Sequence, residues 1–400
     1  MRTTLPSLTL LTTFLMAPTA MAEPVDVGPP NAPSQTPAFE DQTRAPQLAN
    51  TLELDTQIIA DGLEHPWGLA FLPGGDMLVT ERAGRLRLIT PDGEMSEPIE
   101  GLPEMDARGQ GGLLDVSLGP DFDTERRVYL SYAEPRDGDQ NGTAVARARL
   151  SEDNTRLSDV EVIFQQQPGW ESTKHFGSRL IWDNNGRLFI TLGERSLVEP
   201  RQLAQTLDNT IGKIVRVNAD GSTPDDNPFV GRDDALDEIW SYGHRNLQGA
   251  ALHPETNELW TIEHGPKGGD ELNRPEPGLN YGWPVITYGE DYSGAAIGDG
   301  ITQQDGMEQP VYYWDPVIAP GDMTFYTGEL FAGWQNDILI ASLKPGGIVQ
   351  LSLEDGRVTG EARYLEELGR VRDVDQGPDG ALWILTDKRD GALIRALPQE

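Results

Sequence analysis

From about Thr51 onward, short apolar runs alternate with turns rich in Gly, Asp and Asn, and one paired pattern returns six times. In each copy, a strand of alternating polarity leads through a turn to a second, more continuously apolar strand. The copies lie at residues 67–82, 114–132, 179–192, 248–262, 323–341 and 373–386. Alternation with period two is the signature of a half-buried β-strand rather than a helix. Most pairs are followed by further strand patterns, as at 85–89, 213–217, 347–353 and 392–396. The turns include Asp92-Gly93, Asn185-Gly186, Asp220-Gly221, Asp355-Gly356, Asp379-Gly380 and Asp390-Gly391. Asx-Gly tolerates the positive φ that tight hairpins require. The pattern predicts an all-β protein, a six-bladed β-propeller of four-stranded antiparallel blades. A large sandwich or barrel would not return the same turn and strand pair six times. A propeller gathers loops around a central channel, so a functional site is expected there.

The first fifty residues break the pattern. Residues 1–22 read as a cleavable signal peptide: Arg2 is the positive start, a mostly apolar stretch follows, and Ala20-Met21-Ala22 is a small-x-small cleavage site. The apolar stretch is too short and too interrupted by Thr and Pro to serve as a membrane span. Residues 23–50, rich in Pro, Ala, Gln and Asp, predict a disordered linker. The propeller domain is then 51–400, and the mature protein is expected in the periplasm or secreted.

Composition narrows the chemistry. The 400 residues carry 31 Lys+Arg against 65 Asp+Glu, a formal charge of −34, and contain no Cys. The missing thiols exclude disulfides, thiolate metal sites and a Cys nucleophile. The acidity argues against nucleic-acid binding. There is no G-x-S-x-G, H-E-x-x-H or P-loop, and no strand-linked G-x-G-x-x-G. Asp225-Asp226-Asn227 lacks EF-hand spacing and reads as a surface turn.

Unusual polar residues collect in loops at strand ends. His65 and His253 stand beside prolines and read as structural. His175 opens a polar loop just before a strand and is either a satisfied structural residue or a general base, a task suited to imidazole near neutral pH. His244-Arg245-Asn246 offers donors to a planar or anionic ligand. The loop 263–271, with Gly265, Pro266 and Glu271, is either solvated surface or a calcium loop, since exposed carbonyls and carboxylates suit that ion. Lys344, Arg370 and Arg372 recur near strand starts, where they either balance nearby acids or face an anion. Together Gln110, His175, Arg245, Asn246, Lys344, Arg370 and Arg372 could hold a small polycarboxylate against a hard metal ion, with one base left over.

At these residues the chain resembles the soluble, pyrroloquinoline quinone (PQQ)-dependent aldose sugar dehydrogenases of the glucose/sorbosone dehydrogenase group. The resemblance runs from about Leu54 to Leu397. It is carried by Pro66-Trp67-Gly68-Leu69-Ala70-Phe71, Gly109-Gln110-Gly111-Gly112, His175-Phe176-Gly177-Ser178-Arg179-Leu180, Trp240-Ser241-Tyr242-Gly243-His244-Arg245-Asn246, Glu263-His264-Gly265-Pro266, Gly269-Asp270-Glu271, Asn280-Tyr281-Gly282-Trp283-Pro284, Ser342-Leu343-Lys344 and Arg370-Val371-Arg372-Asp373. Each motif is short, and the match lies in their order. The resemblance implies a six-bladed propeller in which His175 takes the proton from a sugar's anomeric hydroxyl. It implies that Gln110, Arg245, Asn246, Lys344, Arg370 and Arg372 bind PQQ, Arg245 also stabilising charge on the quinone oxygen. It implies that the carbonyls of Gly265 and Pro266 hold a Ca²⁺ in contact with PQQ. Carbonyls of Glu271 and Tyr281 are implied for a second Ca²⁺, with Asp291 as a side-chain ligand. Lys174, Leu247 and the loop 289–307 depart from the family pattern, which bears on substrate choice.

The expected function is oxidation of an aldose to its lactone, with electrons passed to an external acceptor by a monomer or homodimer. The rival readings are a calcium-stabilised carbohydrate- or protein-binding propeller without turnover and a metal-dependent lactonase, since fold alone does not fix function.

Overall fold

The structure, a computed structural model, describes residues 22–49 and 51–399. Its strands form six antiparallel sheets arranged as the blades of a six-bladed propeller. Blade 1 contains Pro66–Phe71, Met77–Glu81 and Arg85–Ile89; blade 2 contains Leu113–Leu118, Arg127–Pro135, Asn141–Leu150 and Leu157–Gln165. Blade 3 contains Gly177–Trp182, Arg187–Leu192, Lys213–Asn218 and Ile239–Tyr242; blade 4 contains Leu247–Leu252, Leu259–Glu263, Asp270–Asn273 and Tyr312–Trp314. Blade 5 contains Pro320–Phe325, Ile338–Ser342, Ile348–Glu354 and Arg357–Tyr364. Blade 6 contains Val371–Gln376, Leu382–Thr386 and Gly391–Pro398, and its outermost strand, Leu54–Leu63, comes from the start of the domain. All six strand pairs expected from the sequence are the first two strands of a blade. The first strands pack side by side around the channel and close the ring.

Blade 1 departs from regular four-stranded form. Its fourth chain segment runs alongside Arg85–Ile89 through an isolated bridge from Ile89 to Met95 and bonds from Ser96 N–H to Leu88 O (2.9 Å) and Ile99 N–H to Leu86 O (2.8 Å). Pro98 interrupts it, since proline has no N–H to donate to a ladder.

Burial explains why second strands are apolar without alternation. Met77–Glu81, Ile338–Ser342 and Leu382–Thr386 are buried throughout, because neighbouring blades cover both faces. The apolar core is divided among the six blade interfaces, one cluster at each. The turn Asp355-Gly356 has φ of +49° and +73°, the two-residue hairpin that the Asx-Gly signal predicts.

The expected disordered linker is corrected by the structure. Asp315 accepts hydrogen bonds from Asn31 N–H (2.5 Å) and Ala32 N–H (3.0 Å), and Ala45 N–H bonds the Tyr312 hydroxyl (2.9 Å). Leu48 N–H donates to Glu361 O (2.9 Å), and Ala32, Gln42 and Ala45 are buried. The segment has few apolar residues, and it is held by backbone donors and polar side chains instead. The signal-peptide reading, residues 1–22, lies outside the described residues apart from Ala22. Among the described residues, no helix is long and apolar enough to cross a membrane.

A buried ion cluster ties blades together across the channel. Arg179 of blade 3 pairs with Asp115 of blade 2 (2.9 Å), Asp322 of blade 5 (3.0 Å) and Asp373 of blade 6 (3.3 Å), and lies over the Trp67 ring of blade 1. Removing one partner of a buried ion pair leaves charge uncompensated. Arg179→Met is therefore expected to lose about 3–5 kcal/mol of unfolding free energy in urea titration; a loss under about 1 kcal/mol would show that the cluster does not hold the ring.

Candidate active site

The mouth of the channel is built by two repeated positions: residues just before each first strand and residues just after four of the second strands. The first group supplies His65, Gln110, His175, Arg245, Asn246, Ala319 and Arg370; the second supplies Arg82, His264, Leu343 and Asp387. These residues line a cavity of about 480 Å³. Every first strand carries an irregularity in its pairing at this end. Such bulges bend a strand and re-aim its side chains, which is how Trp67, Gln248 and Arg372 come to face the cavity from within a sheet.

His175 is gripped from three directions. Its backbone N–H donates to Gln110 Oε1 (2.9 Å), its carbonyl accepts from Arg195 Nη1 (3.2 Å), and its Nδ1 lies 2.7 Å from Glu194 Oε1. The carboxylate fixes the proton on Nδ1 and leaves Nε2 as the lone-pair nitrogen. Burial, and after it the charge of Arg245, pushes the imidazole down to about 4, against the pull of Glu194. The ring is therefore neutral at neutral pH.

Arg245 is held from behind. Glu263 Oε2 accepts its backbone N–H (2.6 Å), while its Nη1 donates to the carbonyls of His264 (2.8 Å) and Gly265 (2.7 Å). Its buried Nε has no hydrogen-bond partner, and neither do the Nε atoms of Arg82 and Arg372. Four guanidiniums around one cavity, those of Arg82, Arg245, Arg370 and Arg372, suit a planar, polyanionic ligand. Arg370 and Arg372 share Asp387, at 2.7 and 2.9 Å. Those two guanidiniums hold the Asp387 carboxyl far below the ordinary carboxylate range.

The sequence model of the Glucose / Sorbosone dehydrogenase family matches residues 63–395. The chain belongs to the glucose/sorbosone dehydrogenase family. It is 45% identical over 349 residues to aldose sugar dehydrogenase YliI of Escherichia coli strain K12, covering 86% of this chain and 93% of that protein. A crystal structure of a glucose dehydrogenase superposes with a TM-score of 0.83 at 48% identity, covering 86% of this chain and all of that one. The PQQ-bound form of an aldose sugar dehydrogenase from Streptomyces coelicolor gives a TM-score of 0.71 at 26% identity, covering 87% and 100%.

Within this glucose/sorbosone dehydrogenase fold, most residues singled out from sequence converge. Gln110, His175, Arg245, Asn246, Arg370 and Arg372 line the cavity. Lys344 does not: it is exposed, and Leu343 takes the place on the wall. Gly265, Pro266, Glu271 and Tyr281 border a narrow void of about 10 Å³ behind Arg245. Asp291 stands apart from them, accepting bonds from Ser293 N–H (2.9 Å) and Oγ (2.8 Å) of its own turn. Among the described residues, no group of three His, Asp or Glu side chains converges as a metal site.

Sequence reasoning missed Glu194, Asp387, Arg82, the bracing role of Glu263 and the cavity-facing place of His65. A positional signal was present. Glu81-Arg82, Glu194-Arg195, Glu263-His264 and Asp387-Lys388 put an acid and then a cationic or imidazole residue at or just beyond the end of the second strand in four blades.

The depressed His175 has a consequence for stability. An imidazole in the unfolded chain titrates near 6.5. Between about 6.5 and 4 the unfolded chain takes up a proton that the folded one refuses, so stability drops as pH is lowered through that window. His175→Asn removes the effect, and asparagine suits the φ of +51°. Between pH 7.5 and 4.5 the native protein is expected to lose about 2–3 kcal/mol more unfolding free energy than the variant. Equal losses in urea titration would show that the ring is not shielded.

Proposed function

We propose that this chain is a PQQ- and calcium-dependent aldose sugar dehydrogenase, oxidising the anomeric carbon to a lactone and passing electrons to an external acceptor. The observation that carries this reading is the His175–Glu194 pair (2.7 Å) at a cavity whose wall includes Arg82, Arg245, Arg370 and Arg372. A base and a polyanion cradle in one cavity are what sugar oxidation with a bound tricarboxylate requires.

The residues present fit the quinone. Arg245, Arg370 and Arg372, with Asn246 and Gln110, supply donors for its carboxylates and carbonyls. They also fit a hard cation in donor chemistry: the carbonyls of His264 and Gly265 converge on a positive charge, which Arg245 Nη1 provides in this structure. Buried Glu263 and partly buried Glu271 lie beside them, and desolvation together with the Glu263 charge pushes the Glu271 carboxyl well above its ordinary value. Gly265 and Pro266 would hold the ion near the quinone, and Glu271 and Tyr281 a second one.

When bound, the quinone and its calcium supply the electron sink. The chain supplies the rest. His175 Nε2 accepts the proton of the anomeric hydroxyl, and the buried Glu194 carboxylate stabilises the imidazolium that results. Arg245 offers positive charge where oxygen charge grows, on a backbone anchored by Glu263. Export to the periplasm or outside the cell is proposed on the leader pattern alone.

Purified apoprotein given PQQ and Ca²⁺ is expected to reduce a dye in the presence of an aldose, with activity lost to EDTA and regained with Ca²⁺. Saturable sugar binding without dye reduction would make the protein a carbohydrate-binding propeller. Lactone hydrolysis without PQQ would make it a lactonase.

His175→Asn is expected to lower turnover of the reconstituted enzyme by ~10²–10⁴ while PQQ binding, measured by calorimetry, persists. Near-normal turnover would remove His175 from the base role.

A further inference from the structure

The cavity holds a second imidazole backed by a carboxylate. His65 Nδ1 lies 2.9 Å from Asp387 Oδ1, and both residues line the same wall system as His175. His65 leads into blade 1 and Asp387 ends a strand of blade 6, whereas His175 and Glu194 belong to blade 3. In a six-membered ring, blades 6 and 1 face blades 3 and 4, so the two pairs stand across the mouth from each other.

The pairs differ in what they can do. The His175 side chain is 9% exposed, whereas that of His65 is 36% exposed and meets solvent. Asp387 Oδ2 is engaged by Arg370 (2.7 Å) and Arg372 (2.9 Å), which keep the carboxylate ionised and leave Oδ1 to orient the His65 ring. The ring is fixed by its backbone too: His65 N–H donates to Lys388 O (2.8 Å), and His65 O accepts from Arg82 N–H (3.2 Å). The charged groups around it are Asp387, Lys388, Arg370 and Arg372 from blade 6, and Glu64 and Arg82 from blade 1. Nδ1 is committed to Asp387, so Nε2 is the nitrogen free to exchange a proton.

We infer that His65 is the proton exit of the site, taking protons from the cavity on Nε2 and handing them to water. This rests on the dehydrogenase reading. Oxidation of an aldose to its lactone removes two electrons and two hydrogens. One hydrogen leaves the hydroxyl as a proton to His175; the other leaves the carbon with the electron pair. When two one-electron acceptors of the metal-complex type take the electrons, both hydrogens must reach water as protons. The nearly buried His175 side chain opens into the cavity, so its protons leave through cavity water. His65 carries each in turn, and the ionised Asp387 stabilises the transient imidazolium.

The test uses His65→Asn, because the φ of +49° at this position suits asparagine. Stopped-flow absorbance separates reduction of the PQQ-loaded enzyme by aldose from re-oxidation by ferricyanide. Re-oxidation is expected to slow at least about tenfold more than reduction, and added imidazole is expected to restore it. Equal slowing of both halves, or no rescue, overturns the inference. A second readout needs no turnover. Diethyl pyrocarbonate labelling mapped by mass spectrometry should mark His65 in apoprotein and equally in PQQ-loaded protein, since an exit must keep its contact with water. Complete shielding of His65 by PQQ also overturns it. Absence of any aldose-driven reduction would overturn the dehydrogenase reading and this inference with it.

Discussion

The site depends on one repeated brace: a buried carboxylate at the end of a second strand that fixes the segment entering a first strand. Glu81 accepts Glu64 N–H (2.7 Å), Glu194 meets the His175 ring (2.7 Å), and Glu263 accepts Arg245 N–H (2.6 Å) and contacts the His244 ring (3.0 Å). Asp387 does the same for His65 (2.9 Å). All four acids are at least nine-tenths buried. Burying a carboxylate is costly unless its oxygens are occupied, so each brace requires its hydrogen bonds to be made and thereby makes the local geometry single-valued. That is the requirement of a site in which a base and several guanidiniums must hold position before a ligand arrives.

The braces also set the electrostatics. A chain with a formal charge of −34 presents a cavity ringed by Arg82, Arg245, Arg370 and Arg372. Distant surface acids are screened beyond about 8 Å at physiological ionic strength, so the nearby guanidiniums decide what the cavity attracts. Asp387 offsets two of them, while Arg245 has carbonyls rather than a carboxylate against its guanidinium. Burial first, and then this charge, keep His175 neutral and able to act as a base.

The propeller supplies the rigid frame. Six first strands are irregular at the same end, so six loops and six bulges aim at one space. Each blade interface carries its own apolar cluster, and Arg179 links blade 3 to four other blades through ion pairs and the Trp67 ring. Residues far apart in sequence, such as His65 and Asp387, therefore meet without a flexible segment between them and their sheets.

By itself the sequence determined the strands, their pairing in twos and the count of six, because alternation and Asx-Gly turns are local and each is written within a few residues. It also pointed to His175, Arg245, Asn246, Arg370 and Arg372, since polar loops at strand starts stand out against apolar runs. Tertiary structure alone decided that Leu54–Leu63 closes blade 6 and that residues 23–49 lie packed on blades 4 and 5, because those contacts use backbone groups of distant segments. It alone placed Lys344 outside the cavity, His65 inside it, and Glu194 and Asp387 behind their imidazoles. A local pattern can show that a charged residue ends a strand, but which ring it braces depends on how two loops of a closed circle meet.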